Sequence, residues 1–181
     1  MHVNKSPITG CLLISKPLIG DGYFEQSVVL ITDHSAAGTV GMVLNKVSTL
    51  FVHDFLENIH GTHPIYFGGP VEDDALFYVH NITGVDGAEE VLPGLYFGGD
   101  FAEVSAGIDH EDTTVGFFLG YSGWSPGQLQ AELEEDTWVV VHPPYTFNPL
   151  SFDQQKWSRW MKRLGGEYTL WANAPEDPWM N

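Results

Sequence analysis

The feature that most constrains this chain is how its short apolar, β-branched runs are grouped. They fall at 10–15, 27–32, 39–44, 75–80, 114–119 and 137–142, with briefer ones near 65–67 and 95–97. Such runs bounded by turn formers read as strands. They follow one another mostly without helical segments between them, so an α+β class is expected over a doubly wound parallel sheet. Asp33-His34-Ser35-Ala36-Ala37-Gly38 separates two of them with turn residues and reads as a hairpin connection.

Helices are expected where start signals precede helical spacing. One is expected over about 49–58, with Ser48 as cap and Phe51, Phe55 and Ile59 on one face. A second covers about 101–108, where Asp100 and Glu103 resemble a capping box. A third starts at Ser125-Pro126-Gly127-Gln128, a capping box with proline in the first turn, and runs to about 135. In it the Ser125 side chain is expected to accept the Gln128 N–H. The fourth covers about 152–164 from Ser151. Its Trp157, Trp160, Met161 and Leu164 share one face, which should dock on the sheet.

With 181 residues the chain is expected to form a single domain, 1–181. The 13% aromatic share, six tryptophans included, argues against disorder. No apolar run approaches the ~20 residues of a membrane helix, so no membrane partner is expected. The single cysteine, Cys11, begins an apolar run and reads as a buried thiol. One cysteine allows no internal disulfide, which suits a reducing cytoplasm. Ile8-Thr9-Gly10-Cys11 looks like a lipoprotein cleavage site, yet residues 1–7 supply no apolar signal core, so a cytoplasmic location is expected.

Charge is distributed unevenly. Seven basic against 24 acidic residues give −17, and residues 47–155 hold 18 acidic residues and no Lys or Arg. Nucleic-acid binders gain affinity by neutralising phosphates with Lys and Arg, so direct nucleic-acid binding is disfavoured. Four basic residues, Lys156, Arg159, Lys162 and Arg163, cluster near the C-terminus. Lys162 and Arg163 read as complements to the C-terminal dipole of a helix ending at Gly165-Gly166. The acidity suits solubility or a basic partner.

Gly123-Trp124-Ser125-Pro126-Gly127 fits G-x-S-x-G, with Asp136 and His142 following in hydrolase order. Against that reading, the residue after the serine should lend its N–H to the oxyanion hole, and Pro126 has none. The eight histidines include His53, His60 and His63, but no zinc spacing occurs, and no metal is expected. A site assembled from distant residues such as His34, His80 and Asp74 is the alternative. Gly68-Gly69-Pro70 and Gly98-Gly99-Asp100 have the glycines of a phosphate cradle but acidic neighbours, so no nucleotide cofactor is expected.

Several ordered motifs together resemble the YqgE/AlgH family of bacterial proteins. They run from Leu12-Leu13-Ile14-Ser15-Lys16-Pro17 and Phe24-x-x-Ser27-Val28-Val29-Leu30-Ile31 through His34, Gly38, Gly41 and Asn45-Lys46. Gly68-Gly69-Pro70-Val71 and His80 follow. Then come Gly120-Tyr121-Ser122-Gly123-Trp124, Gly127-Gln128-Leu129, Glu132, Trp138, Arg159-Trp160 and Leu164-Gly165. The resemblance covers about 10–165 and leaves 166–181 as a divergent tail. It implies a cytosolic α+β domain with a mixed, partly barrel-like β-sheet and about four flanking helices. The family's transcriptional-regulator label comes from alginate control in one branch. The sequence departs from the family at Val47, where many members have proline, and at Ala75, where an arginine is common.

Among the matching positions, His34, Asn45, Gly68, Gly69, Pro70, His80, Trp124, Gln128 and Glu132 form the candidate pocket for a small polar ligand or peptide. The same residue types also suit satisfaction of buried backbone groups at strand ends. With no nucleophile beside a positioned base, the expected function is a non-enzymatic binding or regulatory protein acting through a protein or small-ligand partner. The alternative is a hydrolase using Ser125 or a His-centred site.

Overall fold

The computed structural model describes residues 6–17, 22–56, 59, 61–144, 148–151 and 153–173. In chain order the strands are β1 (Leu12–Ser15), β2 (Val28–Ser35), β3 (Gly38–Val43), β4 (Val47–Phe51) and β5 (Pro64–Phe67). They continue with β6 (Val71–His80), β7 (Ala88–Leu92), β8 (Leu95–Gly98), β9 (Val115–Trp124) and β10 (Trp138–Val141). The helices are α1 (Phe101–Gly107), α2 (Gln128–Glu134), α3 (Lys156–Leu164) and α4 (Tyr168–Trp171), with a 3-10 turn at Val52–Asp54. The α+β class holds.

The strands join in the order β10-β1-β2-β3-β9-β6-β8-β7, with β4 and β5 branching from β9. All pairs are antiparallel except β5 with β9, so the sheet is mixed. The branch arises because β6 pairs along β9 from Val115 to Tyr121, leaving one edge to be shared. On that edge β5 takes Phe117–Leu119 and β3 takes Ser122–Trp124. The exchange happens at Gly120, whose φ of +63° only glycine adopts at little cost.

The expected partly barrel-like sheet is corrected by this topology. The sheet is not closed: it ends at β10 and β7, which do not pair with each other. It curls enough that Val91 and Leu95 share an interior cluster with Leu12, Leu30 and Val139. Val91 even reaches Gly10, where a Cβ would stand 2.6 Å from its carbonyl oxygen. Closure needs one continuous ladder with a fixed stagger. Here the ladder branches at β9 and slips register at Ile31/Asp33, Val71/Leu76 and Glu90/Leu92.

Both faces of β1, β10 and the first half of β2 are covered, which is why these stretches are continuously apolar instead of alternating, whereas Asp33, His34 and Ser35 at the end of β2 are exposed. Leu12, Ile14, Val28, Leu30, Val139 and Val141 pack with Trp157, Trp160 and Met161 of α3. Their neighbours Leu13, Val29, Ile31 and Val140 pack with Leu129 and Leu133 of α2 and with Trp124 and Trp138. Each fully buried aliphatic side chain contributes about 1.5–3 kcal/mol. The aromatic face expected on the helix over 152–164 docks through α3 as anticipated, and Trp157 Nε1 donates to the Ser15 carbonyl at 2.8 Å.

Several local expectations need correction. The helix expected over 49–58 is replaced by β4 and the 3-10 turn, with residues 57 and 58 outside the described set. Ser48 does not cap it: its hydroxyl donates to the Ile65 carbonyl at 2.7 Å and accepts the Leu50 N–H at 3.0 Å, stitching β4 to β5. The helix expected over 152–164 is α3, which begins at Lys156, with residue 152 outside the described set and Ser151 Oγ turned back to the Asn148 carbonyl at 3.0 Å. α2 is capped by Gly127 at φ +80°, two residues after the expected serine. Asp100 caps α1 as read, accepting the Glu103 N–H at 3.0 Å, but the expected box does not close: Glu103 Oε2 accepts the Asp86 N–H at 3.0 Å, and the Asp100 N–H donates to the Asp86 carbonyl. Lys162 and Arg163 occupy the last turn of α3 before Gly165.

Candidate functional site

Trp124, Gln128 and Glu132 come together where β9 turns into α2. Spacing four apart places Gln128 and Glu132 on one helix face, and Gln128 Nε2 donates to Glu132 Oε1 at 3.0 Å. Glu132 Oε2 accepts both indoles, Trp124 Nε1 and Trp138 Nε1, each at 2.8 Å. Charge-assisted bonds of this kind are stronger than neutral ones. The indoles meet edge to face at 5.9 Å, and Phe24 stacks on Trp124 with centroids 6.0 Å apart. The carboxylate is thus spent on orienting two tryptophans, which fixes α2 against the sheet.

Ser125 sits beside this cluster. The Gln128 N–H donates to the Ser125 carbonyl at 3.0 Å, not to its side chain. The Ser125 N–H and hydroxyl both donate to Gln128 Oε1, at 3.1 and 3.0 Å. A carboxamide oxygen is too weak a base to activate a hydroxyl, and Pro126 offers no N–H for an oxyanion. His34, Thr39 and Ser125 line a cleft of about 130 Å³, where His34 Nδ1 lies 2.7 Å from Thr39 Oγ1.

Gly68, Gly69 and Pro70 lie elsewhere, at the junction of β5 and β6. A Cβ on Gly69 would collide with the Tyr121 carbonyl group, and one on Gly68 with the Gly120 carbonyl. The Gly68 carbonyl accepts Ser122 Oγ and the Val43 N–H, each at 2.9 Å. These glycines let two backbones cross where β9 changes partner.

Asn45 bridges the chain ahead of β2, accepting the Val28 N–H at 2.9 Å and donating to the Gln26 carbonyl at 2.8 Å. It also lines a cleft of about 580 Å³ with Gln26, Lys46, Gln154, Gln155 and Ser158. His80 is fully buried at the end of β6. Its Nε2 donates to the Gly98 carbonyl at 2.9 Å and its Nδ1 accepts the Ile82 N–H at 3.2 Å, so both ring nitrogens are engaged. Among the described residues no group of three or more His, Cys, Asp or Glu is arranged to hold a metal ion.

Two lysines carry chemistry that sequence spacing did not signal. Lys156 is buried, and its ammonium donates to the Pro149 carbonyl at 2.6 Å and the Ser151 carbonyl at 3.0 Å. Burial pushes its pKa down to about 8, opposed by the Asp153 carboxylate. Lys16, buried at 8% exposure, pairs with Asp136 at 2.5 Å. Cys11 is buried as read, and burial raises its thiol to about 11.

Residues 12–169 match the protein-family model described as AlgH-like. A UPF0301 protein of Bacteroides thetaiotaomicron is 37% identical over 187 residues, covering 98% of this chain and 93% of the relative. One from Chlorobaculum tepidum is 37% identical, covering 95% of each. The solution structure of the AlgH protein from Pseudomonas aeruginosa matches at TM-score 0.70 and 25% identity, over 97% of this chain and 98% of that one. A crystal structure from Corynebacterium diphtheriae shares the fold at TM-score 0.71 and 24% identity, over 95% of this chain and 94% of that one. A family model spanning most of the chain and relatives aligned nearly end to end leave one conclusion: the chain belongs to the AlgH-like UPF0301 family of bacterial proteins.

Proposed function

We propose that this protein is a non-catalytic, cytoplasmic binding protein whose acidic surface takes a lysine- or arginine-rich segment of a protein partner. Any effect on transcription would then pass through that partner. The observation that carries the reading is where the two kinds of polar residue point. Glu132, His80, Asn45 and Ser122 are spent on indoles and backbone inside the molecule. The acidic residues Glu72, Asp73, Asp74, Glu89, Glu90, Asp100 and Glu103 are exposed along β6, β7 and α1, in a stretch without Lys or Arg. Such a field speeds encounter with a cationic partner and repels polyanions.

Native mass spectrometry on protein purified gently from its own host tests this. The expected result is a co-purifying polypeptide that dissociates as ionic strength rises, because exposed charge pairs are screened by salt. A chain that is partner-free at low ionic strength would overturn the reading, as would a small-molecule adduct alone. Catalytic turnover lost in Ser125→Ala or His80→Ala would replace it with the hydrolase alternative.

A further inference from the structure

Lys16 follows β1, and its N–H donates to the Thr137 carbonyl at 3.0 Å, so its backbone is fixed to the sheet. Its ammonium meets Asp136 Oδ2 at 2.5 Å and lies 5.7 Å from the Tyr168 ring and 6.0 Å from the Trp171 ring. Those two rings belong to α4 and meet edge to face at 5.5 Å. A cation over two aromatic faces beside a carboxylate is an attractive arrangement whose worth grows as water is excluded. Asp136 itself adopts φ +62°, a left-handed conformation that costs a non-glycine residue and that places its carboxylate at Lys16.

The other end of α4 is loose by construction. Gly165 and Gly166 join it to α3 at φ +74° and +56°, and a Cβ on either would meet nothing within 4 Å. Two backbone hydrogen bonds border the joint, from the Gly165 N–H to the Met161 carbonyl and from the Thr169 N–H to the Gly166 carbonyl, each at 3.3 Å, and no side chain is built on it. α4 has four residues, too few to persist as an isolated helix. Its outer side carries Leu170 at 79% exposure. Among the described residues, Tyr168 and Trp171 are partly buried against the interior cluster, Ala172 is buried, and Lys16 lies over the two rings.

We propose that α4 is a cation-latched flap: Lys16, braced by Asp136, pins Tyr168 and Trp171, and loss of that charge lets the helix swing on the Gly165-Gly166 joint. Opening uncovers the two aromatic faces and the flank of α3 against which they rest.

Hydrogen exchange on the full chain tests it, with the Leu170 and Ala172 amides as reporters because they donate to the Glu167 and Tyr168 carbonyls. Lys16→Met keeps the apolar stem and removes the charge. Exchange at these amides is expected to quicken about tenfold while β1 and α3 hold their protection, the signature of local opening. In the wild type the same amides should exchange faster as salt rises, since Asp136 is 73% exposed and its pair is screened, and Lys16→Met should lose that dependence. Lys162→Met, on the exposed face of α3, serves as the charge-matched control and should change nothing. Unchanged protection in Lys16→Met would overturn the proposal. So would faster exchange spread equally through β1 and α3, which would make Lys16 an ordinary part of the core.

Discussion

Ser122 Oγ donates to the Gly68 carbonyl at 2.9 Å, joining residues 54 apart in the chain at the point where three strands meet. The same carbonyl accepts the Val43 N–H, so β3, β9 and the end of β5 converge on one oxygen. Ser122→Ala leaves the second donor in place and is expected to cost about 1 kcal/mol. Gly69→Ala drives a methyl into the Tyr121 backbone and is expected to cost more than about 4 kcal/mol. Urea unfolding of the two variants checks this; a Gly69→Ala protein as stable as wild type would show that the backbones do not cross here.

Glu132→Gln preserves shape but gives up the charge that two indole N–H groups share. A loss of about 1.5–3 kcal/mol is expected, the range for hydrogen bonds to charged groups. Tryptophan emission should shift with it, since the acceptor shared by Trp124 and Trp138 loses its charge. Gln128→Ala, on the exposed side of the same network, should cost less than about 1 kcal/mol. Equal losses in the two variants would contradict the central place of the carboxylate.

Lys156 makes the stability of the fold depend on pH in a defined direction. Its folded pKa of about 8 lies below the ordinary 10.5, so between those values the unfolded chain binds more protons than the folded one. Stability contributed by this group therefore rises with pH through that window. Cys11 works the other way: its thiol is raised from 9.0 to about 11, so its contribution falls over that range. Wild type minus Lys156→Met, followed by denaturant unfolding from pH 7 to 10.5, should show a difference that grows with pH. A flat difference would mean that the buried amine does not lose its proton there.

Direct binding to DNA is expected to be undetectable at physiological salt. Of the basic cluster, Lys156 is buried, Arg159 is paired with Asp153 at 3.2 Å, and Arg163 lies 5.3 Å from the Trp160 ring. Anisotropy titration with a labelled mixed-sequence duplex measures it, and sub-micromolar affinity would contradict the expectation.

Much of the secondary structure was legible because its signals are local. Apolar, β-branched runs marked β1, β2, β3, β5, β8 and β10 and the cores of β6 and β9, and Asp100 marked the start of α1. Spacing four apart likewise united Gln128 and Glu132. The exceptions are informative. β7 carries Glu89 and Glu90 exposed, so its strand pattern is mostly polar. Ser48 precedes a helical-looking stretch, yet the Ile65 carbonyl 17 residues away claims its hydroxyl. The candidate pocket divides for the same reason: His80 and Asn45 are engaged by backbone groups that no spacing rule connects to them.

By itself the sequence determined which segments are apolar on both faces, where α1 begins, how charge is divided along the chain and which family it joins. Those properties are written in neighbouring residues. Only the tertiary structure decided that the sheet branches at Gly120 and stays open, that Lys16 reaches α4, and that Trp157 finds the Ser15 carbonyl 142 residues away. The physical reason is that buried polar groups must be paired with whatever the fold brings beside them, and those partners are set by strand order and register, not by proximity in the chain.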